Sequence, residues 1–202
     1  MSLPMHGSPC PYCMGKGPAN FERVVRLVAF ADPVRIMIHH LKYHRRWAIG
    51  EELADRLLQQ ERTKELLQET DVLVPVPLHW RRQLPRGYNQ AEVIARRLGK
   101  RCNLPVARPA KRVRHTEMQT HLHSHARRAE NLRDAFDLCD GGKIAGKHVT
   151  VIDDVWTTGA TMQAIARALK QAKPASLSAI VVATADPRGL ERVKRDELNL
   201  AK

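Results

Sequence analysis

The chemically richest segment of the chain is a pair of adjacent carboxylates followed by a turn rich in threonine. Asp153 and Asp154 come directly after the apolar run Val149–Ile152, and the segment Thr157–Thr161 contains three threonines and Gly159. Backbone amides at the start of a helix, together with hydroxyl groups, can bind a phosphate dianion, and glycine lets the backbone approach it closely. Neighbouring carboxylates can accept hydrogen bonds from vicinal hydroxyls and help to hold a hydrated Mg²⁺. The pattern therefore predicts a site for a ribose 5-phosphate.

The elements around this segment should present it at the edge of a sheet. His148–Ile152 is predicted to be a short buried strand, Asp153–Thr161 a loop, and Ser176–Thr184 a further strand. A helix is predicted between the loop and Pro174. Its buried face is expected to contain Met162, Ile165, Ala166 and Leu169. A simpler interpretation of the same residues is a strand, turn and helix whose two acids only cap the helix.

A second strand, loop and helix precede this segment. The strand Val72–Val74 is predicted to end, or to lie at a sheet edge, at the prolines that follow it, because proline has no amide hydrogen for the ladder. The basic segment Arg81–Arg86 comes next. Asn89 can cap the helix after it, and Gly99 is expected to end that helix. Its apolar face is predicted to consist of Ala91, Ile94, Ala95 and Leu98.

The N-terminal half supplies one more strand and two helices. Arg23–Ala31 is predicted to be a strand, after which Asp32 serves as N-cap and Pro33 occupies the first helical turn. A second helix is predicted from about Ile49. Alternating strands and helices predict an α/β fold with a parallel sheet covered on both sides, in which ligands bind beyond the carboxyl ends of the strands. The apolar positions that support the two helices are Val34, Met37, Ile38 and Leu41, then Leu53, Leu57 and Leu58.

The composition is that of a basic globular protein. Hydrophobic residues make up 43% of the 202 residues, enough for a core, and 34 Lys and Arg against 21 Asp and Glu give a formal charge of +13. This charge predicts an anionic partner but does not distinguish nucleic acid, a membrane surface and a small phosphorylated ligand. Aromatic residues are only 4%, so single-stranded nucleic acid would find few stacking platforms. The chain has no apolar run of about 18 residues, no signal-like N-terminus and few cysteines, which together favour the cytoplasm.

Three segments carry a family resemblance. The residues Val149–Thr161 resemble the phosphoribosyltransferase signature of an apolar strand, two acids and a Thr-Thr-Gly-x-Thr loop. The segment Val74–Leu78 followed by Arg86–Glu92, and the segment Arg112–Gln119, resemble hallmarks of ComF proteins. On this resemblance the chain is identified as a member of the ComF family. The resemblance implies a type I phosphoribosyltransferase-like fold, similar to that of amidophosphoribosyltransferases, with a flexible hood segment.

The resemblance also implies that the chain binds phosphoribosyl diphosphate together with Mg²⁺. Asp153 and Asp154 would act at the ribose as the catalytic pair. A hood could close over the diphosphate, exclude water and supply positive charge. Asn89 could instead act only as a helix cap, and each hood arginine could be a solvated surface residue. The substrate-binding residues after the acids would be Val155, Trp156, Thr157, Thr158, Gly159, Ala160 and Thr161, of which Thr157–Thr161 would hold the 5′-phosphate. The diphosphate would be held by Arg86, Gly87, Tyr88 and Asn89, and the hood candidates are Arg112, Arg114, Thr116 and Gln119.

These assignments divide the chain into three regions. Residues 1–20 are an irregular arm rich in Pro and Gly, residues 21–190 the phosphoribosyltransferase-like domain, and residues 191–202 a charged tail. Relatives commonly have a fuller N-terminal zinc ribbon, and Cys10 and Cys13 resemble one of its knuckles. Tetrahedral Zn²⁺ needs about four ligands, so this pair binds zinc only if other residues or another chain complete the site. The alternating histidines His121, His123 and His125 are either metal ligands or polar surface.

Two functions remain open from the sequence. One is transfer of the phosphoribosyl group, by displacement at C1 of the ribose, to an acceptor that the sequence does not identify, as an enzyme of nucleoside metabolism. The other is a non-catalytic module that handles nucleic acid such as single-stranded DNA, because ComF relatives are associated with DNA uptake and natural transformation. The oligomeric state is open as well.

Overall fold

The structure of the chain is a computed structural model that describes residues 20–79, 84, 86–113 and 135–185. Among the helices in these ranges, none is long and apolar enough to pass through a bilayer. Several predicted features lie outside the described residues: the arm up to residue 19, the charged tail, the zinc candidates Cys10 and Cys13, the histidines at 121, 123 and 125, and the hood candidates Arg114, Thr116 and Gln119.

A four-stranded parallel sheet forms the centre of the fold. Its strands are β1 (Val24–Ala29), β2 (Val72–Pro75), β5 (His148–Trp156) and β6 (Ser176–Thr184), in the spatial order β1-β6-β5-β2. Every pairing is parallel, as the alternation of strands and helices predicts. β2 lies at the edge of the sheet and ends at Pro75, which confirms the expected effect of the missing proline amide.

Helices cover both faces of this sheet. Neighbouring residues of a strand point to opposite faces, so Val151 and Ile152 of β5 belong to two different cores. In the part of the chain that the structure describes, four helices surround Ile152 on one face and one helix covers Val151 on the other, which confirms the two-sided α/β architecture. The first four are α1 (Val34–Tyr43), α2 (Ala48–Leu58), α3 (Glu61–Gln68) and α4 (Gln90–Cys102), and the fifth is α5 (Ala160–Lys170). The predicted apolar faces of the last two are buried, namely Ala91, Ile94, Ala95 and Leu98 in α4 and Met162, Ile165, Ala166 and Leu169 in α5.

A small antiparallel ribbon lies beside the main sheet. It consists of β3 (Ala110–Arg112) and β4 (Phe136–Leu138), and the Val113 amide extends it by donating to the Ala135 carbonyl oxygen at 2.9 Å. Ala110 and Phe136 are part of the core under α5. The ribbon therefore joins the two ends of residues 114–134, which contain most of the predicted hood, and attaches them to the domain.

The predicted boundary between strand and loop at Ile152 is wrong. β5 continues to Trp156, and its pairing with β6 includes Asp153 opposite Val181 and Trp156 opposite Thr184. The reason is tertiary: β6 is as long as β5 and supplies hydrogen-bond partners beyond the apolar run. The two acids are therefore held on a strand and not in a loop.

The predicted end of α4 at Gly99 is also wrong. The helix runs to Cys102, and Asn103 ends it in the left-handed conformation with φ +55°. Gly99 is buried inside the helix, where a Cβ atom would lie 2.7 Å from the carbonyl oxygen of Leu104. Its lack of a side chain permits a close chain approach and does not terminate the helix.

Two features of the N-terminal half differ from expectation. Asp32 does not cap α1, because Pro33 occupies the N-cap position and the Asp32 carboxylate accepts hydrogen bonds from Arg35 at 3.0 and 3.1 Å. Helix α3 was not predicted, because only two of its eight residues, Leu66 and Leu67, are apolar. Both are buried against the neighbouring helices, so packing compensates for a weak sequence pattern.

Candidate functional site

The two carboxylates lie at the carboxyl end of β5. Asp154 is buried, and its Oδ2 atom lies 2.7 Å from the Nζ atom of Lys42 on α1. Asp153 is partly buried, and its Oδ1 atom accepts a hydrogen bond from the Asp154 amide at 2.8 Å. The pair is therefore fixed from two sides, by its own strand and by a helix more than a hundred positions earlier in the sequence.

The electrostatic state of Asp153 differs from that of an ordinary aspartate. Burial, and to a smaller extent the charge of Asp154, raise the pKa of Asp153 from 3.8 to about 8. The hydrogen bond from the Asp154 amide and the charge of Lys42 act in the opposite direction but are smaller. Asp153 thus holds a proton at neutral pH in the free protein, and a bound cation would favour its ionised form.

The threonine-rich turn follows β5 directly and begins α5. Gly159 is the N-cap of this helix with φ +76°, a left-handed conformation that favours glycine. A Cβ atom on Gly159 would also lie 2.9 Å from Nε1 of Trp156, so both backbone and indole ring require glycine here. Thr157 and Thr158 are exposed, and the Ala160 amide lies 3.4 Å from the Thr158 hydroxyl oxygen. The exposed hydroxyl groups of Thr157 and Thr158 thus precede a helix N-terminus, an arrangement that can bind an anion.

Other predicted residues of this turn have structural roles as well. The Trp156 ring packs edge-on against Phe21 with 5.9 Å between the ring centroids. Val155 packs against the core under α1–α4, and Ala160 against the core under α5. Thr161 is only partly buried. Val155, Trp156 and Ala160 thus support the turn by packing, and the threonines and backbone remain as its polar surface.

The predicted diphosphate loop is attached to α1 and to β2. The Tyr88 hydroxyl donates to the Leu41 carbonyl oxygen, and burial raises the pKa of Tyr88. The Arg86 guanidinium lies 5.1 Å from the centroid of the Tyr43 ring and donates to Oε1 of Gln90 at 3.2 Å. Gly87 has φ +80°. The loop conformation therefore depends on the end of α1 as much as on the loop sequence.

Asn89 has a structural role that accounts for both of its polar atoms. Its Oδ1 atom accepts from the Ala91 amide at 3.2 Å, which confirms that it caps α4. Its Nδ2 atom donates to the Val76 carbonyl oxygen at 2.9 Å. Asn89 therefore ties the start of α4 to the segment after β2, and it shapes the loop through these contacts.

The acidic end of β5 continues past the point where its neighbour β2 ends. β2 and β5 are parallel neighbours with Pro75 opposite Ile152, and the Val76 amide donates to the Ile152 carbonyl oxygen at 2.9 Å. Both strands end at the same edge, so the chain segments after them share one rim of the domain. The start of α4 and the acids are attached to the same parts of the fold, because Asn89 donates to Val76 after β2, Tyr88 donates to Leu41 of α1, and Asp154 pairs with Lys42 of α1.

Lys42 is a site residue that the sequence analysis did not identify. It follows Leu41 and stands four positions after Ile38, both of which are fully buried on α1. A lysine one helical turn from a buried residue needs a partner for its charge. That position was the available signal, but the sequence did not show that the partner would be Asp154.

The hood candidates are only partly described. Arg112 lies in β3, and its guanidinium stands 5.5 Å from the centroid of the Phe136 ring in the opposing strand. The structure thus places Arg112 at the base of the hood segment. Arg114, Thr116 and Gln119 lie beyond the described residues, so their roles stay predictions.

The donor groups fit a magnesium ion that is shared with a ligand. In the described ranges, no group of three or more His, Cys, Asp or Glu side chains is arranged to hold a metal ion alone. Mg²⁺ usually keeps several waters and needs only one or two carboxylates when phosphates supply the other oxygens. Asp153 offers such a carboxylate, whereas Asp154 is already paired with Lys42.

Comparisons with known proteins give the same family as the sequence motifs. A family model described as a phosphoribosyl transferase domain matches residues 44–200. The chain is 36% identical over 165 residues to the DNA utilization protein YhgH of Salmonella typhimurium, which covers 80% of this chain and 71% of that protein. It is 30% identical over 174 residues to competence protein F of Haemophilus influenzae, with 84% and 75% covered. Competence protein ComFC of Bacillus subtilis is 32% identical over 114 residues, with 55% and 43% covered. The chain therefore belongs to the ComF family, whose members have a phosphoribosyltransferase-type fold.

Proposed function

We propose that this protein binds phosphoribosyl diphosphate with Mg²⁺ and transfers the phosphoribosyl group to an acceptor. The observation that supports this proposal best is the shared rim at the ends of β2 and β5. There the carboxylates Asp153 and Asp154, the turn around Gly159 and the basic loop at Arg86 emerge from neighbouring parallel strands. Carboxylates suit a ribose diol, the turn suits a 5′-phosphate, and the arginine suits a diphosphate.

The residues of the chain would position the ligand and stabilise charge. Asp153 and Asp154 would accept hydrogen bonds from the ribose hydroxyls, while Lys42 provides the counter-charge for Asp154. Asp153 would hold Mg²⁺ together with ligand oxygens, and this ion would neutralise charge on the departing diphosphate. The Thr157–Thr161 turn would bind the 5′-phosphate through its amides and hydroxyls. Arg86 would neutralise charge on the diphosphate side.

The transfer itself is a displacement at C1 of the ribose. The bond between C1 and the diphosphate oxygen breaks, the diphosphate leaves with the electron pair, and a nucleophilic atom of the acceptor bonds to C1 and loses its proton to solvent or a base. Because the intermediate stages resemble an oxocarbenium ion, orientation and charge stabilisation account for catalysis without a covalent nucleophile.

Calorimetric titration at pH 8 tests the binding step. Wild-type protein is expected to bind phosphoribosyl diphosphate in the presence of Mg²⁺, and Asp153→Asn to bind it at least about tenfold more weakly, because a charge-assisted contact is worth about 1.5–3 kcal/mol. Glu65→Gln removes one carboxylate from the exposed side of α3 and serves as the matched control. If wild-type and Asp153→Asn bind equally, or neither binds, the proposal is wrong.

Turnover needs a separate experiment. Wild-type protein is incubated with Mg²⁺, phosphoribosyl diphosphate and a panel of nucleobases and amines, and diphosphate release is measured. Release that depends on one acceptor and is lost in Asp153→Asn would identify an enzyme. Binding without any release across the panel would favour a non-catalytic phosphoribosyl-binding protein.

A second candidate function is the handling of single-stranded DNA, and it has its own supporting observation. Two curated relatives are named a DNA utilization protein and competence protein F. In this chain Trp47 is 55% exposed, next to the exposed Arg46, between α1 and α2. An exposed indole beside a guanidinium can stack on a base and contact a phosphate. The formal charge of +13 supports the same partner.

The DNA proposal is tested with labelled oligonucleotides at several salt concentrations. Trp47→Ala is expected to weaken single-stranded DNA binding about tenfold, since stacking is worth about 1–3 kcal/mol per base. Asp153→Asn should bind DNA like wild-type. Undetectable DNA binding even at low salt, where phosphate contacts are strongest, would contradict the proposal.

The cytoplasmic location expected from the sequence is part of the proposal that the protein binds phosphoribosyl diphosphate. Phosphoribosyl diphosphate would have to be available where the protein acts. Fractionation of cells that express a tagged full-length chain is the corresponding measurement, and recovery outside the cytoplasmic fraction would contradict it.

A further inference from the structure

The connection between α1 and α2 holds an arginine in an unusual backbone conformation. α1 ends at Tyr43, α2 begins at Ala48, and Arg45 between them has φ +54°. Residues with a Cβ atom other than Asn and Asp rarely adopt this left-handed region, because the Cβ atom approaches the following carbonyl oxygen. Such strain is most often found at functional sites, where the surrounding structure enforces it. The backbone conformation of Arg45 therefore indicates a role other than connecting α1 to α2.

The same connection lies against the predicted diphosphate loop. A Cβ atom built on Gly87 would be 4.0 Å from Nε of Arg45. On either side of this contact, Arg86 stacks on Tyr43 and the Tyr88 hydroxyl donates to Leu41. Three successive loop residues thus meet the end of α1, and the Arg45 guanidinium stands beside the loop.

The charge of Arg45 is not compensated by its described surroundings. Arginines elsewhere on the helices, such as Arg56 and Arg97, form ion pairs with Glu52 and Asp55. Within the described ranges Arg45 has no hydrogen bond or ion pair, and Asp154 is paired with Lys42. Arg86, which donates to a neutral glutamine, adds a second uncompensated charge at this point.

A buried polar atom at the start of α4 also lacks a partner. Gln90 is 3% exposed, and its Oε1 atom accepts from Arg86, but its Nε2 atom has no hydrogen-bond partner in the part of the chain that the structure describes. A buried amide donor without a partner is unfavourable, and an acceptor from a ligand would satisfy it. This donor lies next to the loop that Arg45 approaches.

We infer that Arg45 is a diphosphate-binding residue, which completes an anion site with Arg86 and the start of α4. This inference rests on the proposed function. Its ligand is the diphosphate part of phosphoribosyl diphosphate, and its geometry explains why an arginine occupies a left-handed position that asparagine or glycine would adopt more easily. The α1–α2 connection therefore belongs to the binding site, although no phosphate motif of the sequence includes it.

Binding measurements on three ligands test the inference. Arg45→Asn removes the guanidinium and still tolerates the left-handed conformation, and Arg56→Gln removes an arginine from the exposed surface of α2 as the control. With Mg²⁺ present, Arg45→Asn is expected to bind phosphoribosyl diphosphate and inorganic diphosphate at least about tenfold more weakly than wild-type, since Arg–phosphate contacts are among the stronger hydrogen bonds. Binding of ribose 5-phosphate should change less than about twofold, because that ligand has no diphosphate.

The outcomes separate the inference from the function on which it rests. If wild-type protein binds neither ribose compound, the proposed function fails. If wild-type binds both but Arg45→Asn matches it, or loses affinity for ribose 5-phosphate to the same degree, the diphosphate role of Arg45 alone is wrong. Arg45→Gly should show the same ligand-selective loss with a melting temperature at least as high as that of wild-type, which excludes unfolding as the cause.

Discussion

At the scale of single residues, the charge of the candidate site depends on Lys42. Its ammonium group lies 2.7 Å from Oδ2 of Asp154, and its charge also acts on the neighbouring Asp153. Burial and the charge of Asp154 raise the pKa of Asp153, so Asp153 holds its proton more strongly than an ordinary aspartate. The two adjacent acids look equivalent in the sequence but differ in their surroundings, because Asp154 forms an ion pair with Lys42 and Asp153 does not.

Replacing Lys42 tests this arrangement. Lys42→Met leaves the mostly buried Asp154 carboxylate without a counter-charge, and the free energy of unfolding is expected to fall by about 2 kcal/mol. Denaturant titration at pH 7 measures the change. The double variant Lys42→Met with Asp154→Asn should recover part of the loss, because no unpaired charge remains. An unchanged unfolding free energy in the single variant would show that the ion pair is unimportant.

The pKa of Asp153 predicts a specific pH dependence of stability. Between its ordinary value of 3.8 and its raised value of about 8, the folded protein holds a proton that the unfolded chain has lost. The free energy of unfolding contributed by this group therefore decreases as pH rises through that interval. The Asp153→Asn variant has no carboxyl group at this position and therefore lacks this contribution.

The measurement compares wild-type and Asp153→Asn at pH 5 and pH 8 by denaturant unfolding. The stability of the variant relative to wild-type should increase by at least about 1 kcal/mol between the two pH values. Because other groups titrate in both proteins, only the difference between them is informative. A constant difference would contradict the raised pKa.

At the scale of secondary structure elements, the join between β5 and α5 determines the shape of the phosphate turn. β5 continues through the two acids, and the turn occupies the few residues between Trp156 and Ala160. Gly159 is the critical position because its backbone is left-handed and its α-carbon faces the Trp156 ring. The conformation of the turn thus depends on strand β5, the Trp156 ring and Gly159.

Gly159→Ala and Gly146→Ala form a matched pair for testing this turn. Both glycines have positive φ, +76° and +67°, but only at Gly159 would a Cβ atom meet another residue, at 2.9 Å from the Trp156 ring. Gly146→Ala should cost only about 1 kcal/mol from its backbone conformation. Gly159→Ala should cost at least about 1 kcal/mol more and weaken ligand binding, because the ring or the turn must move. Equal losses of stability in the two variants would contradict the role of the ring.

At the scale of the whole molecule, ligand binding and folding should be coupled. The candidate site includes α1, the loop before α4, the end of β5 and the turn after it; Lys42 of α1 pairs with Asp154 of β5, and Tyr88 of the loop donates to Leu41 of α1. A ligand that contacts all three segments binds the folded state alone. It should therefore stabilise the whole domain.

Thermal unfolding measures this coupling. At a concentration of phosphoribosyl diphosphate about a hundred times its Kd, with Mg²⁺, the folded state gains about 2.7 kcal/mol, which corresponds to a rise in Tm of about 5–10 °C for a chain of this size. Asp153→Asn at the same ligand concentration should show a smaller rise. No rise in wild-type protein at any concentration would contradict binding.

The sequence predicted a large part of this architecture. Hydrophobic periodicity located the buried faces of α4 and α5 and the full extent of β6, and the prolines after Val74 indicated an edge strand. These features depend on neighbours within one or two helical turns or one strand, so local sequence contains enough information. α3 was missed because its packing and not its pattern keeps it helical.

The sequence alone determined which chemical groups are available, because the covalent structure sets residue type and spacing. These groups are two acids at the end of an apolar strand, a turn of threonine and glycine, and a basic loop. Tertiary structure decided how these groups are arranged. The pairing of β5 with β6 placed the acids on a strand, the pairing of β2 with β5 made the two strands neighbours at the same edge, and packing of α1 placed Lys42 against Asp154. Each of these contacts joins positions far apart in the chain, and local patterns carry no information about such pairs.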